Sequence, residues 1–179
     1  MQPIPWLDRE NCLRNSLFIT WTLIGGLLGF LIFNLWNFQP EAVDAAALRI
    51  EFDADSVVTL ASLLFGIVAM VLSVLVPQLV VRTTMDSLLA KPAFQRRASD
   101  PATEQSLLQA FQMSHILKCA ILEGAAFVNL IAFTYDGKVL CLFLAILLMG
   151  RIFTSIPSAS RLNAWMERRE TQLSRASSY

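Results

Sequence analysis

Two stretches of this chain carry no charge over a length that matches a bilayer. Ser16–Trp36, SLFITWTLIGGLLGFLIFNLW, and Val57–Val81, VVTLASLLFGIVAMVLSVLVPQLVV, contain no Asp, Glu, Lys or Arg, and about 20 helical residues cross a hydrocarbon core of ~30 Å. Hydrocarbon offers no partner to a backbone N–H or C=O, so an apolar crossing of this kind must satisfy its hydrogen bonds within a helix. A third apolar stretch runs from about Met113 to Tyr135, and a fourth from Val139 to Ile156, charged only at Arg151. The expected fold is therefore all-α: a four-span transmembrane helical bundle. The composition agrees, with 55% hydrophobic and 16% charged residues and a mean hydropathy of +0.55, well outside the balance of soluble domains.

The first run competes with a signal-peptide reading. It exceeds the roughly 7 to 15 residues of such a core, and Asp8 and Glu10 offset Arg9 and Arg14, so retention as a span is expected. Lysine and arginine then set the orientation. The amino end holds Arg9 and Arg14, the second connection Arg82, Lys91, Arg96 and Arg97, and the carboxyl end Arg161, Arg168, Arg169 and Arg175, while the other two connections hold only Arg49 and Lys138. Both termini are expected to be cytoplasmic, in a multi-pass protein of the plasma membrane, the bacterial inner membrane. Residues 1–157 are expected to form one four-span membrane domain and residues 158–179 a cytoplasmic amphipathic tail.

Several function classes are disfavoured. The formal net charge is zero, so no basic field attracts nucleic acid. Cys12, Cys119 and Cys141 form no spaced framework and read as packing residues. Glu51, Asp53 and Asp55 alternate in the acidic connection Asn37–Asp55, but the glycine turn and distal glutamate of a calcium loop are missing, leaving a solvated loop as the expectation. No nucleotide or nucleophile signature occurs, so neither an enzyme nor a cofactor is expected. The expected partners are the lipid bilayer and a second copy or another membrane protein.

Small residues mark where helices approach. Gly25 and Gly29 share a face of the first span, and Ser62, Gly66, Ala69 and Ser73 form a stripe on the second; small-xxx-small patterns let helix backbones come close in lipid. Pro77 removes one helical hydrogen bond near the end of the second span. Asp100-Pro101 reads as an N-cap followed by proline at the first helical position, so a helix is expected to begin there and continue into the third span. Asp136-Gly137 is a turn signal. Beyond Pro157, Leu162, Trp165 and Met166 recur at helical spacing among arginines, the pattern of a short interfacial helix.

The third span is the unusual one, because FQMSHILKCAILEGAAFVNLIAFTYD, residues 111–136, carries His115, Lys118, Glu123 and Asn129. Ionisable groups inside a span are costly and generally face a partner, a cavity or an ion path. His115, Cys119 and Glu123 lie four apart on one drifting stripe beside Gly124, whereas Lys118 stands about 140° from Glu123 and can snorkel. Glu123, Asn129 and His115 are thus the candidate ion or proton site, with His115 about 12 Å from Glu123 along the helix. The same stripe could in principle ligate a metal, but a chain with one histidine falls short of a typical site, and no metal is expected.

Ile121–Phe133, ILEGAAFVNLIAF, resembles the carboxylate-bearing outer helix of the proteolipid c subunits of rotary ATP synthases. The resemblance implies that Glu123 takes up and releases a proton or sodium ion, and that the connection ahead of this helix is cytoplasmic, in agreement with the charge bias. It covers roughly one helix; the preceding span has only Gly66 where that family's partner helix has closely repeated glycines, and the hairpin here is flanked by two further spans. The readings that follow are a structural or accessory bundle component, in which Glu123 and Asn129 bond neighbouring helices, and translocation of a proton or cation through Glu123.

Overall fold

The computed structural model describes residues 8–37, 57–90 and 101–176, and all of its regular structure is helical: α1 (Arg9–Asn37), α2 (Val57–Leu89), α3 (Pro101–Asp136), α4 (Val139–Phe153) and α5 (Ala159–Ala176). The acidic residues Glu51, Asp53 and Asp55 and the Asp100 cap lie outside the described residues. Three helices, α1, α2 and α3, are long and apolar enough to cross a membrane. Their outward faces carry large apolar side chains, among them Phe18, Trp21, Phe33, Trp36, Leu64 and Ile67. Water would not tolerate so much exposed apolar surface on a monomer, and this is a membrane protein. Of the three apolar windows, that of α3 is the most buried, 44% against 22% for α1 and 28% for α2, which makes α3 the central helix.

The fourth apolar helix is shorter than its sequence suggests. α4 has 15 residues, a rise of about 22 Å at 1.5 Å per residue. The Thr154 N–H turns back to the Gly150 carbonyl at 3.0 Å, and Pro157, whose ring disfavours helix at the residue before it, closes the segment. α2, in turn, is longer than its apolar run. It continues past Val81 to Leu89 because Val81, Met85 and Leu88 keep one face buried.

Contacts divide the chain into two compact units, one gathering the described residues of Met1–Ile19, Leu75–Leu117 and Ile156–Tyr179, the other those of Thr20–Val74 and Lys118–Ser155. In the first unit, Cys12 of α1, Val81, Met85 and Leu88 of α2, Leu107 and Leu108 of α3, and Leu162, Met166 and Leu173 of α5 form one core. Ser158 caps α5, its Oγ accepting from the Arg161 N–H at 3.3 Å. Arg9 forms ion pairs with Glu104 at 2.7 Å and with Glu170 at 3.6 Å on the surface.

This arrangement changes the account of the carboxyl-terminal segment. The apolar stripe of α5, expected at a membrane surface, is buried against residues of α1, α2 and α3 within the first unit. The periodicity of an amphipathic helix is the same whether its apolar face meets lipid or protein, which is why sequence could not choose. In the second unit, α1 buries Thr20, Ile24, Leu27 and Asn34, and α4 buries Cys141, Ala145, Leu148 and Ile152, each set at helical spacing.

Leu162 is 2% exposed, so Leu162→Ala should cost about 2–5 kcal/mol. Thermal unfolding of the purified protein should show a clear drop in Tm, with α5 becoming susceptible to protease; an unchanged Tm would contradict the packing of α5 into this core.

Candidate functional site

The polar residues of the third span are distributed between the two units. His115 belongs to the first and Glu123 and Asn129 to the second. His115 is buried and lies parallel to Phe111, ring centroids 6.5 Å apart; Phe111 in turn meets the Trp165 edge at 5.4 Å. Two aromatic rings thus lie along one side of its surroundings.

Asn129 is fully buried on α3. Its Nδ2 donates to the Ala125 carbonyl at 2.8 Å, one turn back, and to the Ser62 carbonyl of α2 at 3.2 Å. The second bond ties two helices together, and Gly66 makes room for it: a Cβ there would stand 3.1 Å from Asn129 Nδ2 and 2.6 Å from Leu144 Cδ2. Asn129 Oδ1 is buried with no hydrogen-bond partner among the described residues. Three further polar contacts join helices in this unit. Asp136, at the end of α3, accepts from the Thr59 N–H at 3.0 Å and its hydroxyl at 2.6 Å, which places a carboxylate against the N-terminal turn of α2, where the helix dipole favours it. Asn34 of α1 meets the Thr134 hydroxyl of α3. Ser62 Oγ and Cys141 Sγ of α4 are 3.5 Å apart.

Glu123 differs from all of these. It is half-buried on α3, and its Oε1 is the atom that a Cβ on Gly26 of α1 would meet, at 3.9 Å. Among the described residues no side chain or backbone N–H gives it a hydrogen bond or an ion pair. Nor, among the described residues, do three or more His, Cys, Asp or Glu side chains gather where a metal ion could be held.

The glycines expected at helix contacts fall into two groups. Gly66 and Ser62 are buried between helices, as Ala69 and Ser73 of the same stripe are. Gly25 and Gly29, expected to meet a neighbouring span, have nothing among the described residues within 4 Å of their Cβ positions, and neither does Gly124. The reason is register. α1 turns Thr20, Ile24 and Leu27 inward, which leaves Gly25 and Gly29 outside, and the glycine whose Cβ position meets an α3 side chain is Gly26, adjacent to Gly25 but ~100° away around the helix. In the sequence, Asp136 reads only as part of a turn. The left-handed Gly137, φ 63°, is that turn, and Asp136 in addition caps α2; three apolar runs gave no signal of which helix end would meet it.

Comparison with protein-family models, with curated proteins and with solved structures finds no match to this chain.

Gly66→Ala forces Leu144 to shift and should cost about 1–3 kcal/mol, whereas Gly25→Ala, facing open space, should alter stability by less than about 0.5 kcal/mol. Paired thermal melts of the two variants check this; equal effects would remove the distinction between the two glycine faces.

Proposed function

We propose that the protein is a structural or accessory component of a membrane, a helical bundle that works by presenting a fixed set of helices and not by catalysis. The observation that supports this best is Asn129, whose amide joins α3 to the Ser62 carbonyl of α2. The other interhelical bonds, Thr59 to Asp136 and Asn34 to Thr134, are of the same kind: polar side chains on apolar helices used to hold neighbours. In this reading α4 is the fourth crossing, its ends reaching the headgroups through Lys138 and Arg151 and through local thinning of the bilayer. Four crossings place both termini on the cytoplasmic side of a plasma membrane, in keeping with the arginine-rich first, third and last segments.

A second reading, uptake and release of a proton or sodium ion by Glu123, draws on one observation: its carboxylate is half-buried and has no bonding partner among the described residues. That is the state in which an ion-carrying acid would wait for its ion or for a partner subunit, and it fits the resemblance to a rotor proteolipid helix.

The two readings separate in proteoliposomes. On the structural reading, Asn129→Leu lowers Tm through loss of a bond of about 0.6 to 2 kcal/mol, Glu123→Gln leaves proton and sodium flux at the protein-free background, and a reporter fused after residue 179 is active in the cytoplasm. A flux carried by the wild-type protein and abolished in Glu123→Gln would overturn that reading in favour of the second.

A further inference from the structure

The core of the first unit opens at one edge into a cleft of about 280 Å³. The last turns of α2 and the middle of α5 form its walls. α2 contributes Gln78 and Arg82, four residues apart, and α5 contributes Arg169 and Gln172, three apart; both spacings set the pair on one helix face. Val81 and Met85 form an apolar floor. Two guanidinium groups and two carboxamides therefore face one small space from opposite sides, and among the described residues no carboxylate lines it.

The nearby acids are engaged elsewhere or turned away. Glu170, next to Arg169, lies 3.6 Å from Arg9, and Asp86, one turn beyond Arg82, is exposed and does not line the cleft. Arg169 is held in place: its guanidinium lies 5.5 Å from the Trp165 ring centre, and its Nη1 donates to Gln172 Oε1 at 2.8 Å. That bond leaves the Gln172 amide N–H groups and most of the Arg169 donors available. Arg82 has no bonding partner among the described residues. A preoriented arginine facing a second, uncompensated one is the donor arrangement that suits a phosphate, whose oxygens accept charge-assisted bonds from several N–H groups at once.

We propose that this cleft binds a phosphate-bearing anion, and that the anion is the headgroup of an acidic phospholipid. Two features select the lipid. Arg82 is the first charged residue after the uncharged run Val57–Val81, so it lies where an apolar crossing gives way to headgroups. The volume is also near the lower end of the ~300–1,000 Å³ of small-molecule clefts, enough for a headgroup but not for its acyl chains, and the exposed apolar side chains of α2 beside it, Leu75 and Leu79, are surfaces on which those chains can lie.

The test uses the full-length protein, delipidated in a neutral detergent and titrated with phosphatidylglycerol or phosphatidylcholine under native mass spectrometry. Phosphatidylglycerol should occupy one saturable site and bind roughly tenfold or more tighter than phosphatidylcholine, as two charge-assisted contacts imply. Arg82→Gln should lower that affinity about tenfold, and Arg169→Gln, on the other wall, should do the same. Arg168→Gln, an exposed arginine outside the cleft, should not. Arg82 makes no described bond, so its substitution leaves the fold intact, and an unchanged circular dichroism melt verifies this. Failure of millimolar inorganic phosphate to displace the lipid supports the headgroup; displacement supports a soluble phosphate compound at the same donors and overturns the lipid assignment. Equal affinity for the two lipids, wild-type affinity in Arg82→Gln, or an equal loss in Arg168→Gln would overturn the site altogether.

Discussion

The bond from the Asn129 amide to the Ser62 carbonyl is the constraint around which α2 and α3 are arranged. Lipid chains are as apolar as leucine, so no hydrophobic force draws one membrane helix to another; close packing and polar contacts must do so. Asn129 is fully buried, and an amide left without partners in that setting costs several kcal/mol. Its Nδ2 finds two carbonyls, and the bond to Ser62 brings α2 so close that a Cβ at position 66 would stand 3.1 Å from that nitrogen. A one-residue slip of α2 would turn Ser62 and Gly66 away together. Thr59 with Asp136 holds the same register from the far end of α3, and Asn34 with Thr134 ties α1 to α3 there.

The first unit is held by different physics. Its core joins the ends of α1, α2 and α3 to α5 through leucine, methionine and valine, while its exposed residues include Arg9, Glu10, Arg14, Arg82, Asp86 and Arg168. That is the pattern of amphipathic helix ends packed by burial of their apolar faces, although Leu75 and Leu79 of α2 are exposed beside them. The second unit carries large apolar side chains outward and polar ones inward. α1, α2 and α3 each contribute residues to both units.

What sequence could show follows from this division. Absence of charge over the first two runs, and few charges over the third, suffices to identify α1, α2 and α3 as helices able to cross a membrane, because length and hydropathy are local properties. Pro101 likewise marks the start of α3 by a rule of local geometry. The face of a helix that meets its neighbour is not local. Gly25 and Gly29 were as good a pair for close approach as Ser62 and Gly66, yet only the latter are buried between helices, and Gly26, unremarked in sequence, is the residue beside Glu123. The destination of the α5 stripe was equally illegible, since a hydrophobic face specifies that it will be covered and not by what. Of the candidate ion site, sequence identified Glu123 as costly; that it has no bonding partner among the described residues while Asn129 is engaged is visible only once the helices are assembled.

The central claim is that α3 crosses the bilayer with one face to lipid and the other to its neighbours. A spin-label scan of the protein in liposomes, read with oxygen and a water-soluble nickel chelate as relaxants, tests it directly. Labels at Ala120, Gly124, Val128 and Ile131, all exposed, should collide freely with oxygen and not with nickel, while labels at Leu122, Ala126 and Leu130, all buried, should be shielded from both. Nickel access at Gly124 or Val128, or a profile without helical periodicity, would contradict the account.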